Sequence, residues 1–113
     1  MSDLTERILR TVSAIPEGKA TTYGDIARAT GTGARAVGRV LHGGGHDIPW
    51  WRVVDADGWS YAAASDDVRA KFHEESTPLL EDSPGRVRVD LAAASWTPPR
   101  GMSRPAAQES GLE

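Results

Sequence analysis

The chain has 113 residues, of which 39% are hydrophobic and 26% are charged, as is typical of one small soluble globular domain. It has no cysteine, which excludes disulfides and thiolate chemistry, and its three histidines are too scattered to form a metal site. No apolar run approaches the roughly 20 residues of a membrane helix, and the N-terminus does not resemble a signal peptide. We therefore expect a cytoplasmic monomer that needs no metal or other cofactor.

The formal net charge of −3 by itself argues against a nucleic-acid partner. The charge is unevenly distributed, however, because the segment between Asp25 and Asp47 carries Arg28, Arg35 and Arg39 and no acidic residue. This local excess predicts a modest positive patch with salt-sensitive affinity for DNA.

Two helices are predicted in the first 31 residues. Apolar residues at helical spacing predict an amphipathic helix over residues 4–15, which Pro16 ends. Thr22 followed by Asp25 resembles a capping box, so a short second helix is expected from there to about Gly31.

A third helix is predicted from Gly33 to His42, with Thr32 as its cap. Its apolar side would consist of Ala34, Val37 and Leu41, and its polar stripe of Arg35, Arg39 and His42. The short connection through residues 31–33 indicates a helix-turn-helix with the third helix in the recognition role.

The next segment predicts a β wing. Glycines at positions 43–45 should break the third helix by using the φ freedom of glycine. The β-branched run from Trp51 to Val54 predicts a strand, and Asp57-Gly58 is typical of a hairpin turn. Residues 59–62 would return as the partner strand.

Residues 66–75 predict a helix, and Leu79 and Leu80 are expected to dock on the core. The alternation in residues 86–91 predicts a short strand or extended segment. After Trp96 the composition becomes rich in Pro, Gly, Ser, Gln and Glu, so we expect a domain over residues 1–97 and a disordered tail over 98–113.

Aromatic and basic side chains are the candidates for function. Trp50 and Trp51 are either core residues or cavity walls, and in a strand their side chains would point to opposite faces. Arg35 is either a solvated helix residue or a DNA contact, and Tyr23 is either a staple on the core or part of a site. Whether Trp51, Trp59 and Tyr61 line a pocket or the core stays open.

Three segments, in this order, resemble motifs of the O6-alkylguanine-DNA alkyltransferases: residues 18–27, residues 34–38 and residues 49–53. In the last of these, Trp50 stands where those enzymes have their reactive cysteine, and Trp51 stands where they have a histidine. Tryptophan at the cysteine position is the feature of the alkyltransferase-like proteins. The resemblance implies a mainly α winged helix-turn-helix domain that binds DNA and transfers no alkyl group.

The resemblance also implies roles for individual residues. Trp50 would line a pocket for an extruded O6-alkylguanine, Arg35 would fill the gap in the base stack, and Tyr23 would crowd the phosphate 3′ to the target. The remaining DNA contacts would come from Thr22, Ala34, Gly38, Arg39 and Trp51, and Arg52 would be structural. The bound lesion would be flagged for nucleotide excision repair.

Two other functions remain compatible with the sequence. One is a winged-helix transcriptional regulator that reads undamaged DNA, which differs from a lesion sensor in depending on sequence and not on a modified base. The other is an interaction module without a DNA role, which the net charge of −3 favours.

Overall fold

The computed structural model describes residues 3–43, 47–60 and 65–99. Its elements, in chain order, are α1 Asp3–Ser13, β1 Thr21–Thr22, α2 Tyr23–Thr30, α3 Ala34–His42, a 3₁₀ turn Trp50–Arg52, β2 Val53–Val54, α4 Ser65–Glu75, β3 Leu79–Ser83, β4 Arg86–Val89 and α5 Leu91–Ala94. The four predicted helices and the predicted strand that begins at residue 86 are therefore present, within a few residues of their expected bounds.

The helix-turn-helix forms as predicted, but its turn is built differently. The Thr22 hydroxyl caps α2 by accepting the Asp25 N–H at 3.0 Å, and Gly31 ends the helix with φ 78°. Thr32 donates its N–H to the Ala27 carbonyl at 2.9 Å, so it closes α2 and does not cap α3. The N-cap residue of α3 is Gly33, so no side chain accepts a hydrogen bond from the first turn of this helix at the cap position.

The predicted strand over residues 51–54 is wrong in its first half. Trp51 lies in a 3₁₀ turn, and only Val53 and Val54 form a strand, which pairs in parallel with β1. The two-residue strand suffices because both valines are fully buried between the helices. Gly43 also departs from expectation, because its φ of −75° is an ordinary helical value; Gly44 and Gly45 lie outside the described residues.

The β hairpin of the fold is not the predicted one. Asp57-Gly58 does form a turn, with Gly58 at φ 97°, but Trp59 then pairs with Arg88 of β4. The hairpin proper joins β3 and β4 in antiparallel fashion. Residues 61 and 62 of the predicted return strand lie outside the described residues. Leu80 does not dock on the core, since a bulge in β3 leaves it 58% exposed, whereas Leu79 packs inward.

Two groups of buried side chains form the core. One lies among the first three helices and contains Ile8, Val12, Ile15, Ile26, Ala27, Val37, Leu41 and Val53. The other lies between α4 and the hairpin and contains Ala20, Val54, Val68, Phe72, Val87, Val89 and Ala94. Ala34, which was expected on the apolar side of α3, is exposed and belongs to neither group.

The C-terminal part of the described chain returns to β1. Ala20 pairs with Ser95 in a parallel bridge, and the Trp96 N–H donates to the Ala20 carbonyl at 2.9 Å. Pro98, which was assigned to the tail, is buried, and residues 100–113 of that tail lie outside the described residues. Among the described helices, none combines the length and the apolar character that crossing a membrane requires.

Candidate functional site

A cavity of about 650 Å³ opens between the helix-turn-helix and the turn that follows β2. Its size falls in the range of roughly 300–1,000 Å³ that is usual for ligand pockets. The described residues that line it are Tyr23, Gly24, Ala34, Arg35, Gly38, His42, Asp55, Ala56, Trp59 and Ser60. Four of the sequence-predicted site residues, Tyr23, Ala34, Arg35 and Gly38, therefore meet at one place.

The α3 side of the cavity combines small residues with one cation. Ala34 and Arg35 occupy the first turn of α3, and Gly38 follows one turn later on the same stripe. That first turn contains no acidic residue, and Arg35 is exposed. Small side chains permit close approach of a helix to another surface, and the positive end of the helix dipole favours an anion. This part of α3 is thus suited to a DNA groove.

Tyr23 is held against α3 by a residue that the sequence did not single out as a partner. Its hydroxyl lies 2.9 Å from His42 Nε2, and the two rings meet edge to face with their centroids 5.7 Å apart. Burial lowers the pKa of His42 below its usual value of 6.5, so the imidazole is neutral at pH 7. Of the predicted polar stripe, Arg35 and Arg39 are exposed, whereas His42 is half-buried against Tyr23. Tyr23 and His42 are 19 residues apart in the chain, and no local pattern in the sequence indicated this pairing.

Thr22 and Arg39 are placed near the cavity but not among its described lining residues. Thr22 uses its hydroxyl oxygen to cap α2, and the same helix turn carries Asp25, which forms an ion pair with Arg28. A carboxylate at this helix end already satisfies the positive dipole, which weakens the case for a phosphate there. Arg39 is exposed in the last turn of α3.

Trp50 and Trp51 are half-buried, and neither is among the described lining residues of the cavity. Trp50 packs against both core groups, and its ring meets that of Trp51 edge to face at 5.9 Å. The Trp51 N–H donates to Glu75 Oε2 at 3.1 Å, and the amine of Lys71 lies 4.9 Å above its ring. Their predicted roles in DNA binding stay predictions.

Glu75, the last residue of α4, and Arg52 together join the tryptophan segment to α4 and to the loop after α1. Arg52 donates to Glu75 Oε2 at 2.5 Å and to the Ile15 carbonyl at 2.7 Å, as expected for a structural arginine. The Arg52 and Glu75 side chains are only 11% and 8% exposed. Burial raises the pKa of Glu75, but hydrogen bonds from Arg52, Gly18 and Trp51 outweigh it and hold this pKa below its usual value. Sequence reasoning did not predict these contacts; the signal that could have pointed to them is the helical stripe that Glu75 shares with the buried Val68 and Phe72.

Trp59 supplies the aromatic wall opposite α3, and this resolves one open alternative for the tryptophans. The backbone N–H of Trp59 donates to Asp55 Oδ1 at 2.9 Å, which fixes the turn. Tyr61 lies outside the described residues. Within residues 3–43, 47–60 and 65–99, no group of His, Asp and Glu could hold a metal ion.

Comparison with known proteins agrees with this geometry. Residues 3–77 match the family described as 6-O-methylguanine DNA methyltransferase, DNA binding domain. Alkyltransferase-like protein 1 of Schizosaccharomyces pombe is 31% identical over 107 residues, covering 87% of this chain and 98% of that protein. A DNA base-flipping protein of Escherichia coli is 47% identical over 95 residues, covering 80% of this chain and 72% of that protein.

The fold is also similar to a solved complex. The crystal structure of S. pombe Atl1 with damaged DNA containing O6-carboxymethylguanine superimposes with a TM-score of 0.75 at 28% identity, covering 87% of this chain and 98% of that one. The chain belongs to the DNA-binding domain family of the 6-O-methylguanine DNA methyltransferases. The predicted resemblance to alkyltransferase-like proteins and the predicted winged helix-turn-helix class are confirmed.

Proposed function

We propose that this chain binds O6-alkylguanine in duplex DNA, holds the base outside the helix and leaves its alkyl group in place. The observation that carries the proposal is the cavity that unites Tyr23 and Arg35 with the Trp59 ring, in a chain without cysteine. The relatives support it, because one is named a DNA base-flipping protein and another was solved with DNA containing O6-carboxymethylguanine.

The physical argument begins with the cost of extrusion. Unstacking and unpairing a base costs a few kcal/mol, and an exposed cation beside the groove can offset part of this by filling the gap. Arg35 is exposed at the mouth of the cavity and stands on a helix whose neighbouring residues are small. We therefore assign the gap-filling role to Arg35 and the phosphate-crowding role to Tyr23, which His42 holds in place.

The adduct itself would provide the discrimination. An alkyl group on O6 adds apolar surface, and burying such surface is worth about 25 cal/mol per Å². The cavity wall is mostly apolar, and Trp59 offers an aromatic face. A base that extends inward as far as the second core group would also contact the Trp50 ring, which packs against that group. Plain guanine lacks the added area and should bind less tightly.

Since a protein of this kind would leave the lesion in the DNA, another process must remove it. We propose that the bound complex is handed to nucleotide excision repair. A reconstituted excision reaction tests this step, because adding the protein should accelerate incision beside O6-alkylguanine and leave an undamaged duplex uncut.

The deciding experiment for recognition compares matched duplexes that contain guanine, O6-methylguanine or O6-carboxymethylguanine at one position. We expect tighter binding to both modified duplexes by tenfold or more, where tenfold corresponds to about 1.4 kcal/mol. Equal affinity for the three duplexes would contradict the proposal and favour a regulator of undamaged DNA. Intact-mass measurement of the protein after incubation should show no added alkyl group.

A further inference from the structure

The exposed face of the β3–β4 hairpin carries two arginines that lie beyond the part of the chain matched by the family, residues 3–77, and that contact a tryptophan within it. Trp59 pairs with Arg88 across an antiparallel bridge, so their side chains share one face of the sheet. The Arg86 guanidinium lies 4.7 Å from the centre of the Trp59 ring, and that of Arg88 lies 5.4 Å from it. We call Trp59, Arg86 and Arg88 the hairpin triad.

Both guanidinium groups are anchored through the same atom. Arg86 Nε donates to Glu81 at 3.1 Å, and Arg88 Nε donates to the Asp57 carbonyl at 2.8 Å. No hydrogen bond of their terminal Nη groups is found among the described residues. The arginine side chains are thus held by the indole and by Nε, and within the described part of the chain the forked end of each guanidinium has no hydrogen-bond partner. This fork matches the geometry of a phosphate group.

The hairpin triad is continuous with the cavity. Trp59 lines the cavity on one side and, on the other, a smaller recess of about 210 Å³ that also contains Arg86 and Gly85. The two arginines of the triad therefore lie on the far side of Trp59 from Arg35 and α3. A DNA duplex that is bound across the mouth of the cavity would continue over Trp59 toward the two arginines.

Acidic groups near the hairpin triad do not cancel its attraction for phosphate. Glu81 is paired with Arg86, and Asp55 uses Oδ1 to accept the backbone N–H groups of Asp57 and Trp59. The Glu81 carboxylate therefore serves as an anchor of Arg86, and the Asp55 carboxylate as an anchor of the turn. In the ion pair of Arg86 with Glu81, the arginine side chain is the more accessible partner, at 62% exposure.

We propose that the hairpin triad is a second DNA contact that binds backbone phosphates of the same duplex, on the side of the lesion away from α3. The Trp59 ring and the two Nε anchors pre-organise Arg86 and Arg88, so little side-chain entropy is lost when phosphates bind. Phosphate contacts carry no sequence or lesion information. The triad should therefore raise affinity for modified and plain duplexes equally. This inference rests on the proposed DNA function but not on the lesion preference.

The test measures affinity and its salt dependence for Arg86→Gln, Arg88→Gln and the double variant. The double variant should bind both duplexes about tenfold more weakly at low salt, with an unchanged ratio between them. The slope of log affinity against log salt should fall by about 2, close to 1 for each lost phosphate contact. Glu81→Gln should have the opposite effect and tighten binding to both duplexes, because it removes a negative charge beside the phosphate.

The matched control is the double variant Arg10→Gln with Arg69→Gln, which removes the same total charge from α1 and α4. It should keep the wild-type salt slope; an equal loss in this control would show a net-charge effect and overturn the proposal. The proposal would also fall if Arg86→Gln with Arg88→Gln kept wild-type affinity and slope, with its folding verified by thermal melting. Arg86→Gln alone, at the more exposed position, decides the matter if the double variant does not fold.

The outcome separates this inference from the proposed function. Equal binding of modified and plain duplexes by wild type, together with a reduced slope in the double variant, would leave the hairpin triad standing and reject lesion recognition. A normal lesion preference with no effect of the arginines would do the reverse.

Discussion

Arg35 and Arg39 are one turn apart on α3, and of the two only Arg35 is among the described residues that line the cavity. Arg35→Ala should therefore remove most of the preference for O6-alkylguanine, because the gap in the base stack is left unfilled. Arg39→Ala should weaken binding to modified and plain duplexes alike and reduce the salt slope by about 1. Fluorescence anisotropy with both duplexes at several salt concentrations distinguishes them. Identical behaviour would mean that Arg35 is a phosphate contact.

Trp50 and Trp51 together explain why a single substitution should not restore alkyl transfer. In Trp50→Cys the new thiol would have an ordinary pKa of about 8.5 and be mostly protonated at neutral pH, and Trp51 offers only a donor N–H. The lost indole also leaves a hole between the two core groups. We expect little or no methyl transfer from O6-methylguanine duplex to this variant, as measured by intact mass.

Adding Trp51→His to Trp50→Cys should improve transfer. Glu75 Oε2 already accepts an N–H from residue 51 at 3.1 Å, so an imidazole there would have a carboxylate to orient it as a base. Glu75→Gln in this double variant should reduce the gain, with melting used to verify the fold. Stoichiometric methylation of the Trp50→Cys variant alone would show that the neighbouring base is unnecessary.

At the scale of elements, the two positive-φ glycines of the site region differ in their surroundings. Gly31 ends α2 at φ 78° with no heavy atom within 4 Å of a built Cβ, whereas at Gly58 such an atom would lie 2.4 Å from the Val89 carbonyl oxygen. Gly31→Ala should cost about 1 kcal/mol of unfolding free energy from backbone strain alone. Gly58→Ala should cost at least twice as much. Urea unfolding measures both, and equal costs would show that the turn relaxes freely.

The elements that the sequence predicted are those with local signals. The apolar spacing of α1, the Thr22 cap and the glycine that ends α2 all act within a few residues, and each was found. The elements that it missed depend on distant partners. The segment around Trp59 extends along β4 because Ser60 donates its N–H to the Val87 carbonyl and the Gly58 carbonyl accepts the Val89 N–H. Trp51 turns toward Glu75 on α4. No pattern near either tryptophan specifies those partners.

The candidate site shows the same division. Tyr23, Ala34, Arg35 and Gly38 were predicted because they lie in segments that resemble motifs of the family, and the structure brings all four to one cavity. Trp59 was left undecided because its position depends on the hairpin, which closes from the other half of the chain. The resemblance placed Trp50 in the pocket wall, whereas the structure packs it against both core groups and not among the described lining residues, so this role stays a prediction.

At the scale of the whole molecule, the C-terminal end of the described chain is part of the fold. Trp96 packs against the first core group and donates its N–H to Ala20. Removing residues 100–113 should leave the melting temperature and DNA affinity nearly unchanged, because their composition offers little apolar surface to bury. Removing residues 96–113 should cost about 3 kcal/mol, and so lower the melting temperature by 10 °C or more. Differential scanning calorimetry of the two truncations tests this, and equal melting temperatures would contradict it.

The bridge between Ala20 and Ser95 also has a consequence for how the protein is made. These two residues come from near opposite ends of the described chain, so the pairing cannot form while the ribosome still holds the later residues. The helix-turn-helix can assemble its local contacts during translation, but β1 gains its last neighbour only after synthesis has passed Trp96. A DNA-binding surface would thus emerge on the nascent domain before the domain itself closes.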